Sequence, residues 1–177
     1  MFKVEAITPS IGAEISGVSL NKDLNSATVE KIYSALIKHQ VIFFRDQDIS
    51  PETHLKLAES LGDIDPGHPV YPHVEGYQSI VLLKNDAHTR PDTNDWHKDL
   101  TFKANPPFAS ILHGVSVPQV GGDTLWASMS AAYESLSDGW KEHLEGLEAI
   151  HDMGTFRNDY YKDGGIESVN NALKKVG

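Results

Sequence analysis

The sequence predicts a mixed α/β domain that is mainly β, with two amphipathic helices near the N-terminus packed on a sheet of short, mostly antiparallel strands. Three observations carry this reading. Apolar residues recur at helical spacing between about 27 and 39. A serine–proline pair at 50–51 opens a second helical stretch, and Gly62 closes it. The other apolar runs are short and are bounded by glycine, proline or asparagine, as strands between turns are.

Taken in order, "FKVEAI" (2–7) alternates as a strand does, and "SIGAEISGVSL" continues in extended pieces punctuated by Gly12 and Gly17. Val29, Ile32, Tyr33, Leu36 and Ile37 share one helix face. "VIFF" (41–44) reads as a buried strand, and 51–61 as the second helix. A proline-rich loop (65–76) leads to the strand "SIVLL" (79–83), followed by a polar loop (85–95). "WHKDLTF" (96–102), "FASILHGVSV" (108–117) and "GDTLWASM" (122–129) are expected to be strands. "SAAYESL" and "DGWKEHLEGL" are expected to be short helices, the second capped by Ser137. "EAIHDM" (148–153) reads as a strand, and the tail ends in a weakly helical "SVNNALKKVG".

Composition narrows the function classes. With 177 residues, 40% hydrophobic and 23% charged, the chain is expected to form one domain, spanning 1–177, with a sizeable core. The net charge of −10 argues against nonspecific nucleic-acid binding, which needs a basic face. It is compatible with a small anionic substrate held in a local cationic pocket. No apolar run is long enough to span a membrane, and no basic segment followed by an apolar stretch marks a secretory signal. The absence of cysteine rules out disulfides and thiolate metal sites, and the sum leans towards a cytoplasmic protein.

The chemistry centres on "NDWHKDLTF" (94–102). In a strand, His97 and Asp99 would project to one side, where an imidazole and a carboxylate can hold a divalent ion. Two histidines and one carboxylate on one face of a metal form the open site of non-heme Fe(II) oxygenases. The same spacing also occurs by chance, and a surface His–Asp pair is the competing reading. A serine-protease-like triad fits poorly, because no serine lies in a G-x-S-x-G turn. A zinc hydrolase using the same His and Asp is a further reading, and the absence of an H-E-x-x-H motif weighs against it. Two further segments add context: "GGDTLW" (121–126) and "HPVYPH" (68–73), the latter on a constrained loop where binding residues concentrate.

"SIGAEISGVSL", "HQVIFFRDQ", "HPVYPH", "WHKDLTF", "PPFASIL", "GGDTLWASMSAAYESLS" and "GLEAIHD" together resemble the 2-oxoglutarate-dependent taurine dioxygenase family, which includes alkylsulfate- and phenoxyacetate-cleaving members. The resemblance runs from residue 7 to about 152, and "HPVYPH" points towards the taurine-cleaving branch. It implies a double-stranded β-helix, a jelly-roll of the clavaminate-synthase-like kind with outer helices. It implies Fe(II), 2-oxoglutarate and O2, and hydroxylation of a small sulfonate such as taurine with release of sulfite, succinate and CO2. It is also compatible with a homo-oligomer.

Residue by residue, the resemblance makes His97 and Asp99 two of three iron ligands. Thr124 would hydrogen-bond the distal carboxylate of 2-oxoglutarate. His68 would approach the anionic head of the substrate, Tyr71 would line the pocket, and Leu100, expected on the face of Asp99, would be a further pocket residue. An asparagine three residues before the tryptophan usually positions substrate in the taurine branch; here that place is Thr93, and Asn94 is the candidate. The family's third ligand, a downstream histidine, and its carboxylate-binding arginines have no counterpart here; His113 and His151 are expected to be packing or pocket-wall residues. The expectation is therefore an incomplete dioxygenase domain, inactive in isolation. The alternatives are the same chemistry on an alkylsulfate or phenoxyacetate, or a noncatalytic binding module.

Overall fold

The computed structural model describes residues 1–67, 71–86 and 96–151. In chain order its elements are β1 (Lys3–Ala6), β2 (Ala13–Ser16), α1 (Ser26–His39), β3 (Ile42–Phe43), α2 (Pro51–Leu61), β4 (His73–Val74), β5 (Tyr77–Val81), α3 (Met129–Glu134) and α4 (Asp138–Leu144). They fall into two compact units: Met1–Leu61 with Leu112–Glu148, and Gly62–Ile111 with the chain from Ala149 on.

The first unit is built on a three-stranded sheet in the order β1-β2-β3. β1 and β2 form an antiparallel pair with Val4 opposite Ile15. β3 runs parallel to β2, with Ala13 opposite Ile42, so α1 is the crossover between them. Asn25 caps α1 by accepting from the Thr28 N–H at 2.9 Å. The helix stops at Gln40, which takes positive φ while its N–H donates to the Leu36 carbonyl. Ser50 and Pro51 open α2 as the sequence predicts, with Thr53 N–H donating to Ser50 Oγ at 3.2 Å. Ser137 caps α4, also as predicted.

The core of this unit is small: Ala13, Ile15, Leu20, Ile32, Ala35, Ile49 and Leu57. On α1 the buried residues are Ile32 and Ala35, while Tyr33 and Ile37, expected on the inner face, are 42% and 56% exposed. The apolar stripe is thus rotated from the one expected, with Ile32 and Ala35 turned inward.

The second unit holds the hairpin β4–β5, which realises the expected strand at 79–83 slightly early. The strands expected over 96–102, 108–117 and 122–129 form no ladder among the described residues, nor does 148–151. Alternating apolar residues bias a segment towards extension, but a strand exists only where a neighbour completes its backbone hydrogen bonds. Phe43 and Trp126 meet edge-to-face at 5.3 Å, so "GGDTLW" packs by side chain against β3 without pairing to it. Gly121 and Gly122 both take positive φ, which is why two glycines stand there. No helix among the described residues is long and apolar enough to cross a membrane.

Candidate metal centre

The segment carrying His97 and Asp99 is a turn. Leu100 adopts φ 53°, and the Lys103 N–H donates to the Leu100 carbonyl at 3.1 Å. This corrects the expected strand. The strand face on which Leu100 was expected to sit beside Asp99 is therefore not formed. Leu100 is half-buried.

His97 and Asp99 nevertheless meet. Nε2 of His97 lies 3.2 Å from Oδ1 of Asp99, and both side chains are more than half exposed. The second carboxylate oxygen, Oδ2, accepts a long contact from the Ser110 hydroxyl at 3.5 Å. The pair fits two neighbouring positions on one ion. Ligands about 2.1 Å from a metal and at right angles to each other stand about 3.0 Å apart. An imidazole nitrogen and a carboxylate oxygen are the donor types of the two-histidine, one-carboxylate iron site. Among the described residues no third His, Asp or Glu joins them in a metal-holding group.

What fixes the turn was not foreseen. Lys103 reaches back to Asp65, Nζ to Oδ2 at 2.6 Å, and both side chains are largely shielded. The other oxygen of Asp65 accepts from the Gly67 N–H at 3.2 Å. Gly67 has positive φ, and a Cβ there would lie 2.4 Å from the Gln78 carbonyl oxygen on β5. One carboxylate thereby ties the 62–67 loop to the turn after Asp99, while glycine lets that loop lie against the hairpin. The "DPG" sequence signals the local Asp65–Gly67 turn; nothing local signals a partner at Lys103.

The remaining expected residues are placed as follows. Tyr71 is half-buried on the approach to β4. Thr124 is exposed and belongs to the first unit. His68 and Asn94 lie outside the described residues. His113 borders a cleft of about 430 Å³ with Asp46, Gln47 and Asp48, and stands edge-on to His54 at 6.3 Å. His151 is exposed and in no regular element. His73, the second histidine of "HPVYPH", has a buried Nδ1 that finds no hydrogen-bond partner among the described residues.

Residues 3–174 match the family described as "Taurine catabolism dioxygenase TauD, TfdA family". The chain belongs to this family. It is 38% identical to an alkylsulfatase of Acinetobacter baylyi over 98% of its own length and 54% of that protein. It is 42% identical to an alpha-ketoglutarate-dependent sulfate ester dioxygenase of Pseudomonas putida, over 84% of this chain and 48% of the relative. The chain therefore spans about half the length of these curated relatives. A solved taurine dioxygenase from Burkholderia xenovorans is 39% identical and superposes with a TM-score of 0.71, over 82% of this chain and 51% of that one. The fold class is that of the family, a jelly-roll with outer helices.

Proposed function

We propose that this chain is part of an Fe(II)/2-oxoglutarate-dependent dioxygenase that cleaves a small sulfated or sulfonated substrate. The observation that carries the reading is the 3.2 Å approach of His97 and Asp99 in a chain of this family. An exposed ion pair contributes only about 0–1 kcal/mol to stability, so folding energy gives little reason for the two to be together. Shared ligation of one ion does.

In this reading His97 and Asp99 would be two of the residues that hold the iron. The Ser110 hydroxyl steadies Oδ2 of Asp99, and the Lys103–Asp65 pair holds the turn that presents it. Bound Fe(II), with 2-oxoglutarate and O2, supplies oxidation of a substrate C–H bond. By the family resemblance, Thr124 would bond the 2-oxoglutarate carboxylate, and His68, Tyr71, Asn94 and Leu100 would be the substrate-side candidates.

The substrate best supported is an alkyl sulfate ester, because the two curated relatives at 38% and 42% identity are named for sulfate esters. Taurine is the second reading, favoured by "HPVYPH" and by the taurine dioxygenase of similar structure. The products separate them. Hydroxylation of the carbon bearing a sulfate ester collapses to an aldehyde and sulfate; hydroxylation of the carbon bearing a sulfonate collapses to an aldehyde and sulfite. Assaying both anions alongside succinate, with an alkyl sulfate and then taurine, tests the reading. Sulfate with succinate supports the first substrate, sulfite with succinate the second. Succinate formation that neither compound stimulates counts against both.

A further inference from the structure

We propose that the outer edge of β1 is a self-association site, at which β1 of one copy pairs antiparallel with β1 of a second copy about Val4. β1 stands at the end of the β1-β2-β3 order, so its outer edge carries no strand among the described residues. All four of its residues are exposed. In an antiparallel pair every second residue turns both its N–H and its C=O away from its partner, so this edge offers donors and acceptors that no strand among the described residues fills.

The sequence of the edge is complementary to itself. Pairing centred on Val4 sets Lys3 of one copy opposite Glu5 of the other, twice by symmetry. Lys3 and Glu5 already lie together on one face, Nζ to Oε1 at 2.8 Å, and are about 60% exposed, so both can reach across the new seam. The other face is apolar. Phe2, Val4 and Ala6 border a cleft of about 540 Å³ against α1, and Lys31 covers the Phe2 ring at 5.8 Å. The same register puts Val4 opposite Val4 and Phe2 opposite Ala6, making one continuous apolar strip from two. A one-residue slip would set charges against apolar residues, so both faces select the same register.

Charge exchange tests this. Sedimentation velocity over a concentration series should show dimers of the wild-type chain. Lys3→Glu alone places two glutamate pairs across the seam, and Glu5→Lys alone two lysine pairs; each should weaken association about tenfold. Mixing the two single variants restores opposite charges at both positions and should recover association, as should the double variant Lys3→Glu/Glu5→Lys, which also controls for misfolding. A wild-type chain that stays monomeric overturns the proposal. So do single variants that associate as tightly as wild type, or a mixture that does not recover.

Discussion

His97 and Asp99 are both well exposed, and their contact stabilises the chain little. Their replacement therefore separates a structural role from a ligating one. His97→Ala and Asp99→Ala should change the unfolding midpoint only slightly, while each lowers affinity for Fe(II), or Mn(II) as a redox-inert probe, by more than about 100-fold, since outer-shell changes alone cost 10–100-fold. Isothermal titration of both variants beside wild type checks this, and unchanged affinity would remove the pair from the metal site. Lys103 acts one step further out. Lys103→Met leaves the shielded Asp65 carboxylate with the Gly67 N–H as its remaining hydrogen-bonded partner among the described residues. It should cost about 1–3 kcal/mol in denaturant unfolding and also weaken metal binding, because the turn after Asp99 loses its tie. The His–Asp pair was legible from spacing and its neighbouring motifs. Asp65–Lys103 was not, because a contact between residues so far apart in sequence leaves no local periodicity.

Among the elements, those set by local chemistry were readable and those set by distant partners were not. α1, α2 and α4 begin at Asn25, Ser50 and Ser137, whose side chains bond the first turn of their own helices. Asn25→Ala removes the acceptor of the Thr28 N–H and should destabilise the first unit by about 1 kcal/mol, measurable as a lowered urea midpoint with an unchanged slope. The extended segments that form β1 and β2 were legible from alternation and from Gly12 and Gly17, while their pairing was not. The segments 96–102, 108–117 and 122–129 show how that logic fails: their apolar residues are placed as in strands, yet no described neighbour completes a ladder. At 96–102 the chain turns instead, through a left-handed Leu100 that a strand pattern cannot reveal.

At the scale of the whole molecule, the chain spans about half the length of its curated relatives and leaves much apolar surface uncovered. Val115, Val120 and Ile150 are 84%, 91% and 98% exposed, and Trp96 and Trp140 are 71% and 59% exposed. Large apolar side chains this open to solvent are available to a hydrophobic ligand. The 177-residue chain should therefore bind an environment-sensitive dye such as ANS strongly under native conditions, and fluorescence no greater than that of a compact globular control would contradict this. The family assignment rests on short motifs spread along the chain and confirmed over residues 3–174, so it was readable where individual strands were not.

The central claim is that His97 and Asp99 belong to an Fe(II)/2-oxoglutarate oxidation site for a sulfated or sulfonated substrate. Its most direct measurement is stoichiometry: succinate and sulfate, or succinate and sulfite, quantified together under O2 with the purified protein. Equal amounts of succinate and sulfur anion, both lost in Asp99→Ala, are the predicted result. Anion release without 2-oxoglutarate or O2, or coupled turnover that survives Asp99→Ala, would contradict it.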